Sequence, residues 1–452
     1  MLAMIGPAHA GSAPDTLQVS QFGTVHIYHP DGPTRQVVLF LSGEAGWRDG
    51  VVGLAEQLGA HGALVAGIDT AHYLQVIGKS PVSCAYPGAD FERLSRLVQQ
   101  HAGLTEYHYP ILVGYSAGAS LVYALLNQTA TGTFAGGLSL GFCPQLALAK
   151  PLCKREQLSI TARSKGTGVT LLPAARMNDP WIVLQGEQDR ACEATAARRY
   201  AEGIAGATLL RLPHVGQDYS IEPAWLPQYL AAFKALTRAP QSAPPTPPQG
   251  LDDLPVLELP ASGTQNDSFV VLLTGDGGYA GMDQKITAAF NAKGQPVAVL
   301  NALKYFWKAR TPQEVANDVD RIMRYYSATW RKRRVILVGY SQGADVMPFV
   351  INRLPEASRA MIASAAAIAI SDSALFEFHI ANWLTDPKGV PTLPELNRLS
   401  GVPFVCIYGV EDEDSLCPKL NKGSIRLVKL PGAHHFHGNY AAVAAAVLAN
   451  SR

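Results

Sequence analysis

The sequence predicts an α/β protein of two tandem, duplicated domains, each a mostly parallel sheet covered by helices. Three observations carry this. The first is internal repetition, which marks a copied unit. VVLFLSGEAGW (37–47) matches FVVLLTGDGGY (269–279), and ILVGYSAG (111–118) matches ILVGYSQG (336–343). WIVLQGEQD (181–189) matches FVCIYGVED (404–412). LLRLPHVGQDY (209–219) matches IRLVKLPGAHHFHGNY (425–440) when three residues are skipped, which sets His214 against His435. The second is the stretch APQSAPPTPPQG (239–250), whose five prolines exclude a helix interior or a central strand. The third is a series of short Val/Ile/Leu-rich runs without apolar/polar alternation, separated by longer helical stretches. Such runs read as strands buried on both faces, hence a parallel sheet built from βαβ units.

The expected organisation follows. Residues 1–12 read as the remnant of a signal peptide, because Ala8-His9-Ala10 has the small-x-small form of a cleavage site. Residues 13–238 form the first domain, 239–250 a stiff linker, and 251–452 the second domain. With 37 Lys+Arg against 36 Asp+Glu, the chain lacks the basic excess of a nucleic-acid binder. Hydrophobic residues at 48% exclude a disordered chain. No apolar run is long enough to span a bilayer. Six cysteines in close pairs suit an oxidising compartment. Their spacing predicts disulfides Cys143–Cys153 and Cys406–Cys417, with Cys84–Cys192 by elimination. They form no zinc pattern with histidine, so no metal is expected.

The chemistry is written at the strand ends. Gly339-Tyr340-Ser341-Gln342-Gly343 follows a strand and precedes a helix, the context in which GxSxG pushes a serine Oγ out of the top of the sheet. Ser341 is the expected nucleophile. A serine needs a base, and the base an orienting acid. Asp412 lies three residues past the strand-ending Gly409 and is the expected acid, with Glu411 and Asp414 as rivals. His435 is the expected base, because it matches His214; His434 and His437 are the alternatives. The oxyanion donors are expected from Gln342 and from the glycine loop of Gly275, Asp276 and Gly277. The first copy keeps the outline in Ser116, Asp189 and His214, but its histidine segment is shorter and its loop has one glycine fewer. It is expected to be a decayed or second site.

The TGDGGY loop (274–279), YFWKARTP (305–312), GYSQGADVMPF (339–349), YGVEDEDSLC (408–417) and Pro431–Phe436 together resemble the bacterial virulence proteins of the AcvB/VirJ family. The whole chain resembles the longer, two-domain type. That resemblance implies a periplasmic α/β-hydrolase fold, hydrolysis of aminoacyl-phosphatidylglycerol (chiefly the lysyl ester) at the membrane surface, no cofactor, and secretion-system proteins as candidate partners. It places Ser341, Asp412 and His435 in the triad. Asn301 stands where an Asp is expected in that family, whereas the first copy has Asp69 there. Asp276, Asp345, Glu411, Glu413 and Asp414 surround the expected site, and Asp276, Glu411 and Asp414 are the expected contacts to substrate ammonium groups. Phe306 and Trp307 are expected in the core, and Arg331–Arg334 in a solvated loop.

Overall fold

A computed structural model of the chain describes residues 15–451, apart from 154–156, 164–166, 220–224, 239–249, 262–265, 378–388, 421–422 and 424. The expected signal-peptide remnant and all but the last residue of the linker lie outside the described residues. The chain packs as two compact units. One holds Met1–His101, His108–Thr129 and Phe134–Ala239; the other holds Ala102–Tyr107, Ala130–Thr133 and Pro240–Arg452.

Each unit is built on one mostly parallel sheet. In the first, the spatial order is Asp15–Val19, Gly23–Tyr28, Ala63–Ile68, Gln36–Leu41, Ile111–Tyr115, Gly136–Leu140, Arg176–Gly186 and Ala205–Leu212. Only the pairings that involve the first two strands are antiparallel. In the second, the order is Val256–Leu259, Val297–Leu300, Ser268–Leu273, Arg334–Tyr340, Ile362–Ile368, Phe404–Gly409 and Ile425–Leu430. Here only Val256–Leu259 runs antiparallel to its neighbour.

The unalternating runs are indeed buried on both faces. Val37–Leu41 and Val270–Leu272 are fully shielded from solvent, and each such side chain contributes about 1.5–3 kcal/mol of transfer free energy. The repeat is also exact in register. Val38 pairs with Ile111 in the first sheet, and their counterparts Val270 and Ile336 pair in the second. Even a polar contact is duplicated: the Tyr73 hydroxyl donates to Asp90 at 2.9 Å, and Tyr305 donates to Asp318 at 2.6 Å.

The disulfides are Cys84–Cys153, Cys143–Cys192 and Cys406–Cys417. Spacing identified the last and mispaired the other four cysteines. Cys143–Cys153 does not form, because Ala85 and Leu152 make a β-bridge that sets Cys84 beside Cys153. Cys84–Cys192 therefore does not form either. Cys143 instead meets Cys192, each in the loop that follows one of two neighbouring strands. Mass spectrometry of an unreduced digest should recover these three pairs. In the chain-entropy model the 11-residue Cys406–Cys417 loop contributes about 3 kcal/mol. The paired Cys406→Ala, Cys417→Ala variant should lower Tm by several degrees, and an unchanged Tm would refute that contribution.

Candidate active site

Ser341 sits at the end of strand Arg334–Tyr340, immediately before the helix Gln342–Arg353. Its backbone is held at φ 50° and ψ −118°, outside the regions L-residues favour. The flanking glycines explain why the turn needs that motif. A Cβ on Gly339 would lie 2.4 Å from the Gly343 carbonyl oxygen, and one on Gly343 would lie 2.2 Å from that of Leu273. The first copy repeats the strain at Ser116, with φ 52° and ψ −113°.

Asp412 follows strand Phe404–Gly409 in a tight turn closed by its own N–H to the Gly409 carbonyl at 3.1 Å. The disulfide Cys406–Cys417 spans this turn. After strand Ile425–Leu430, the loop brings His434 between the other two groups. His434 Nδ1 lies 3.2 Å from Asp412 Oδ2, and Nε2 lies 3.1 Å from Ser341 Oγ. An ionised Asp412 can only accept. Nδ1 therefore carries the proton, and Nε2 is left to accept from the serine hydroxyl. The hydrogen bond from His434 holds the Asp412 carboxyl below its ordinary range.

The structure thus brings Ser341 and Asp412 together as expected, but with His434 rather than His435. His435 turns away and places Nδ1 3.2 Å from the Tyr340 hydroxyl. The two imidazole planes are 81° apart. His437 pairs with Glu411 at 3.1 Å on the exposed rim. The alignment with His214 misled because it skipped residues at the wrong place. The Gln188 N–H donates to Val215 O as the Glu411 N–H donates to Gly432 O. Four residues further on, Tyr219 and Phe436 are both buried at positive φ, 41° and 51°. These anchors pair Gln217 with His434. The first copy therefore holds glutamine where the second holds the imidazole, and His214 is an exposed residue with no counterpart role. Tyr219 and Phe436 are recognisable as equivalent only by their burial and backbone, so the sequence alone carries no signal for this pairing.

The first copy also treats its serine differently. The Ser116 hydroxyl donates to Glu44 at 2.7 Å. Asp189 is buried and accepts from the N–H groups of Ala191 and Cys192 and from Gln185. Among the described residues no imidazole bridges Ser116 and Asp189.

The glycine loop passes directly over Ser341: a Cβ on Gly275 would lie 3.5 Å from the Cβ of Ser341. The Gly275 N–H faces the carboxyl of Asp283, a fully buried acid on the following helix that occupies the place of Val51 in the first copy. Burial pushes that carboxyl up, and nearby Asp276 adds to the effect. Asp345, one turn beyond Ser341, is also buried and accepts from the Ser371 N–H at 2.7 Å. Burial pushes its carboxyl up to about 7, with Asp276 again adding and His434 opposing. Asp283 was not singled out from the sequence, because a lone acid on a helix reads as solvated. Glu413 and Asp414 are exposed, and the Asp414 N–H supports the Asp412 carboxylate. Phe306 and Trp307 are buried. Lys332 is buried with its amine on the Asn266 carbonyl, and Arg333 pairs with Asp267. Among the described residues no group of acids, histidines or cysteines could hold a metal.

A serine on a strand-to-helix elbow, with an acid and an imidazole supplied in that order behind later parallel strands, defines an α/β-hydrolase domain with a serine-hydrolase triad. The family model described as bacterial virulence protein (VirJ) matches residues 35–133 and 267–452, so the chain belongs to the VirJ family, in its two-domain form. No curated protein matches the chain. Among solved structures it is similar to an alpha-beta serine hydrolase homologue from Coxiella burnetii, at 15% identity over 52% of this chain and 99% of that one, TM-score 0.32. It is also similar to esterase 2 of Thermogutta terrifontis, at 16% identity over 51% and 95%, TM-score 0.33. Est1E of Butyrivibrio proteoclasticus matches at 10% identity over 50% and 98%, TM-score 0.33.

Two outcomes test this geometry. Ser341→Ala and His434→Ala should each lower ester hydrolysis by several orders of magnitude, whereas Ser116→Ala and His435→Ala should leave most of it. Equal losses for His434→Ala and His435→Ala would contradict the assignment. The second concerns Asp345. Its folded pKa, about 7, lies above the unfolded value near 3.9. Folding therefore takes up a proton between those values, and stability falls as pH rises through that window. Asp345→Asn should raise Tm relative to the native chain most at pH 8, with the gain shrinking towards pH 4. A gain of the same size at both pH values would rule this out.

Proposed function

We propose that the second domain hydrolyses the aminoacyl ester of an aminoacyl-phosphatidylglycerol, chiefly the lysyl ester, in the periplasm. The observation that carries this is the hydrogen-bonded chain from Asp412 through His434 to Ser341. Ser341 Oγ attacks the ester carbonyl as His434 Nε2 takes its proton. The imidazolium that forms is stabilised by Asp412. The oxyanion lies against the Gln342 N–H and the N–H groups of Asp276 and Gly277. Collapse of the tetrahedral species breaks the bond to the glycerol oxygen, which takes the proton from His434, and phosphatidylglycerol leaves. Water, deprotonated by His434, then attacks the acyl-serine and releases the amino acid. No step uses a metal or organic cofactor.

The charge around the serine supports a cationic acyl group. Asp276 lies close enough to both Asp283 and Asp345 to raise their carboxyls. Ammonium groups on the acyl side would offset the Asp276 carboxylate beside the oxyanion donors, which a neutral acyl group would not do. Glu411 and Asp414 stand on the exposed rim, where they steer cations inward. Three disulfides suit an oxidising compartment. The first domain, with Gln217 in place of the imidazole, is on this reading a non-catalytic scaffold.

Purified protein incubated with lysyl-, alanyl- and unmodified phosphatidylglycerol should release free amino acid, fastest from the lysyl lipid. Asp276→Asn should harm the cationic aminoacyl ester about 10- to 150-fold more than a neutral short-chain ester, the value of a charged hydrogen bond. Equal losses on both esters would confine Asp276 to shaping the loop.

A further inference from the structure

The segment Asn301–Arg310 takes no part in the triad, yet it lines a cavity of about 320 Å³ in the second unit. Its wall includes Asn301, Lys304, Tyr305, Lys308 and Arg310. Asn301 follows strand Val297–Leu300, at the carboxyl end of the sheet where ligands of open parallel sheets bind. That strand is separated from the one bearing Ser341 by a single strand, Ser268–Leu273. Two strand spacings put the two sites about 10 Å apart. Hydrogen bonds tie the cavity wall to the catalytic loops on both sides. The Ala302 N–H donates to Thr274 Oγ1 at 2.9 Å, beside the glycine loop. The Arg310 N–H donates to the Phe376 carbonyl, and the Gln342 side chain donates to the adjacent Leu375 carbonyl, both at 3.0 Å.

The charges in this wall are unevenly answered. Asp253 is taken up by Arg321, which bonds both of its oxygens at 2.7 and 2.9 Å. Asp252 accepts from the Gly250 N–H. Glu106 faces Lys304. Among the described residues Lys308 has no ion pair. The Arg310 guanidinium lies 4.7 Å over the Tyr305 ring, and its Nε is buried without a hydrogen-bond partner. Asp253 and Glu314 feel the Arg310 charge, but its buried Nε–H is left without an acceptor, a donor that a bound oxyanion would satisfy. The duplicated first domain offers the contrast. Its corresponding strand ends in Asp69, not Asn301, and the helix Thr70–Gly78 that follows contains no lysine or arginine. At the same place in the fold the second domain therefore has a neutral amide instead of an acid, and Lys304, Lys308 and Arg310 where the first has His72, Val76 and Gly78.

We propose that this cavity is a phosphate-binding subsite in which Lys308 and Arg310, with Lys304, receive the oxyanion of a phosphodiester. The guanidinium fork and the ammonium groups match phosphate oxygens in charge and hydrogen bonding. On the proposed reaction, on which this assignment of the occupant rests, the phosphodiester is that of the leaving phosphatidylglycerol, held about 10 Å from the scissile ester. Substrate is then gripped at two points, its ammonium groups on the acidic side of Ser341 and its phosphate on the basic side.

The test uses the full chain and measures binding apart from turnover. Calorimetric titration with glycerophosphoglycerol, a soluble phosphodiester, should show binding that Lys308→Gln and Arg310→Gln each weaken about 10-fold or more, the order expected for one charged hydrogen bond. Arg310→Lys should retain part of it. Turnover of a neutral short-chain ester and Tm should stay near the native values in the same variants, which excludes misfolding. With lysyl-phosphatidylglycerol, KM should rise while kcat changes little. Inorganic phosphate separates the sources: weaker binding than glycerophosphoglycerol supports a lipid headgroup as occupant, and equal binding supports a phosphate site that takes free phosphate. No binding of either probe, or variants that leave both binding and KM unchanged, would overturn the subsite. A chain that binds the phosphodiester but releases no amino acid from the lipid would keep the subsite and remove the proposed reaction.

Discussion

The strained turn at Ser341 is the constraint on which the rest of the second domain depends. A residue at φ 50° and ψ −118° persists only where its surroundings over-determine it. Here they do so through closeness. Gly343 lies against the Leu273 carbonyl, and Gly339 lies against Gly343. Any side chain at either glycine would push the helix off the sheet. The same closeness brings the glycine loop, which follows Leu273, over the serine. Nucleophile and oxyanion loop are therefore positioned by one packing contact between neighbouring strand ends, and the helix behind the serine aims its N-terminal N–H groups at the same point.

The acid and base rest on a second, looser construction. Asp412 and His434 stand on loops after the last two strands, where the sheet is less enclosed; the strand Ile425–Leu430 is only partly buried. Each loop is pinned by a local device. A disulfide spans the acid's turn. The buried aromatic Phe436, two residues past His434, anchors the base. The first domain keeps equivalents of both devices: Cys192, beside Asp189, is tied to Cys143, and Tyr219 fills the anchor position. Among the described residues no imidazole lies between its Ser116 and Asp189. The turn and loop scaffold is thus present in that copy, and there the Ser116 hydroxyl donates to Glu44.

This division also explains what was legible in the sequence. The repeat, the parallel sheets, the Ser341 elbow and Asp412 could be read directly, because each is set by short-range rules: burial on two faces, steric limits at glycine, and a fixed count past a strand end. The base could not. The seven residues from Leu430 to Phe436 hold two adjacent histidines, and which one turns inward is decided by the buried anchor after them, a tertiary fact. The cysteines failed for the same reason. Cys143 and Cys153 are near in sequence, but the bridge between Ala85 and Leu152 carries the second away from the first. Asp283 was invisible because a single acid on a helix gives no sign of burial. Only comparison with Val51, its counterpart in a core position, shows that the second domain tolerates a carboxyl where hydrophobic packing would be the simpler choice.

That tolerance bears on what the site is for. Burying a carboxyl without full compensation costs free energy, and the group responds by holding its proton. Asp283 and Asp345 both do so beside Asp276 and the nucleophile. On the other side of the glycine loop, Lys304, Lys308 and Arg310 gather around a cavity that has no basic counterpart on the corresponding helix of the first domain. On the proposed reaction, a cation placed beside Asp276 would draw protons off the Asp283 and Asp345 carboxyls, and an anion would answer the basic cavity; an uncharged ester would do neither. A molecule with ammonium groups on its acyl side and a phosphodiester on its alcohol side answers both at once. On the proposed reaction the polarity is oriented as well: reversing such a substrate would set phosphate near Asp276 and ammonium against guanidinium, so the charge pattern favours the acyl end at Ser341.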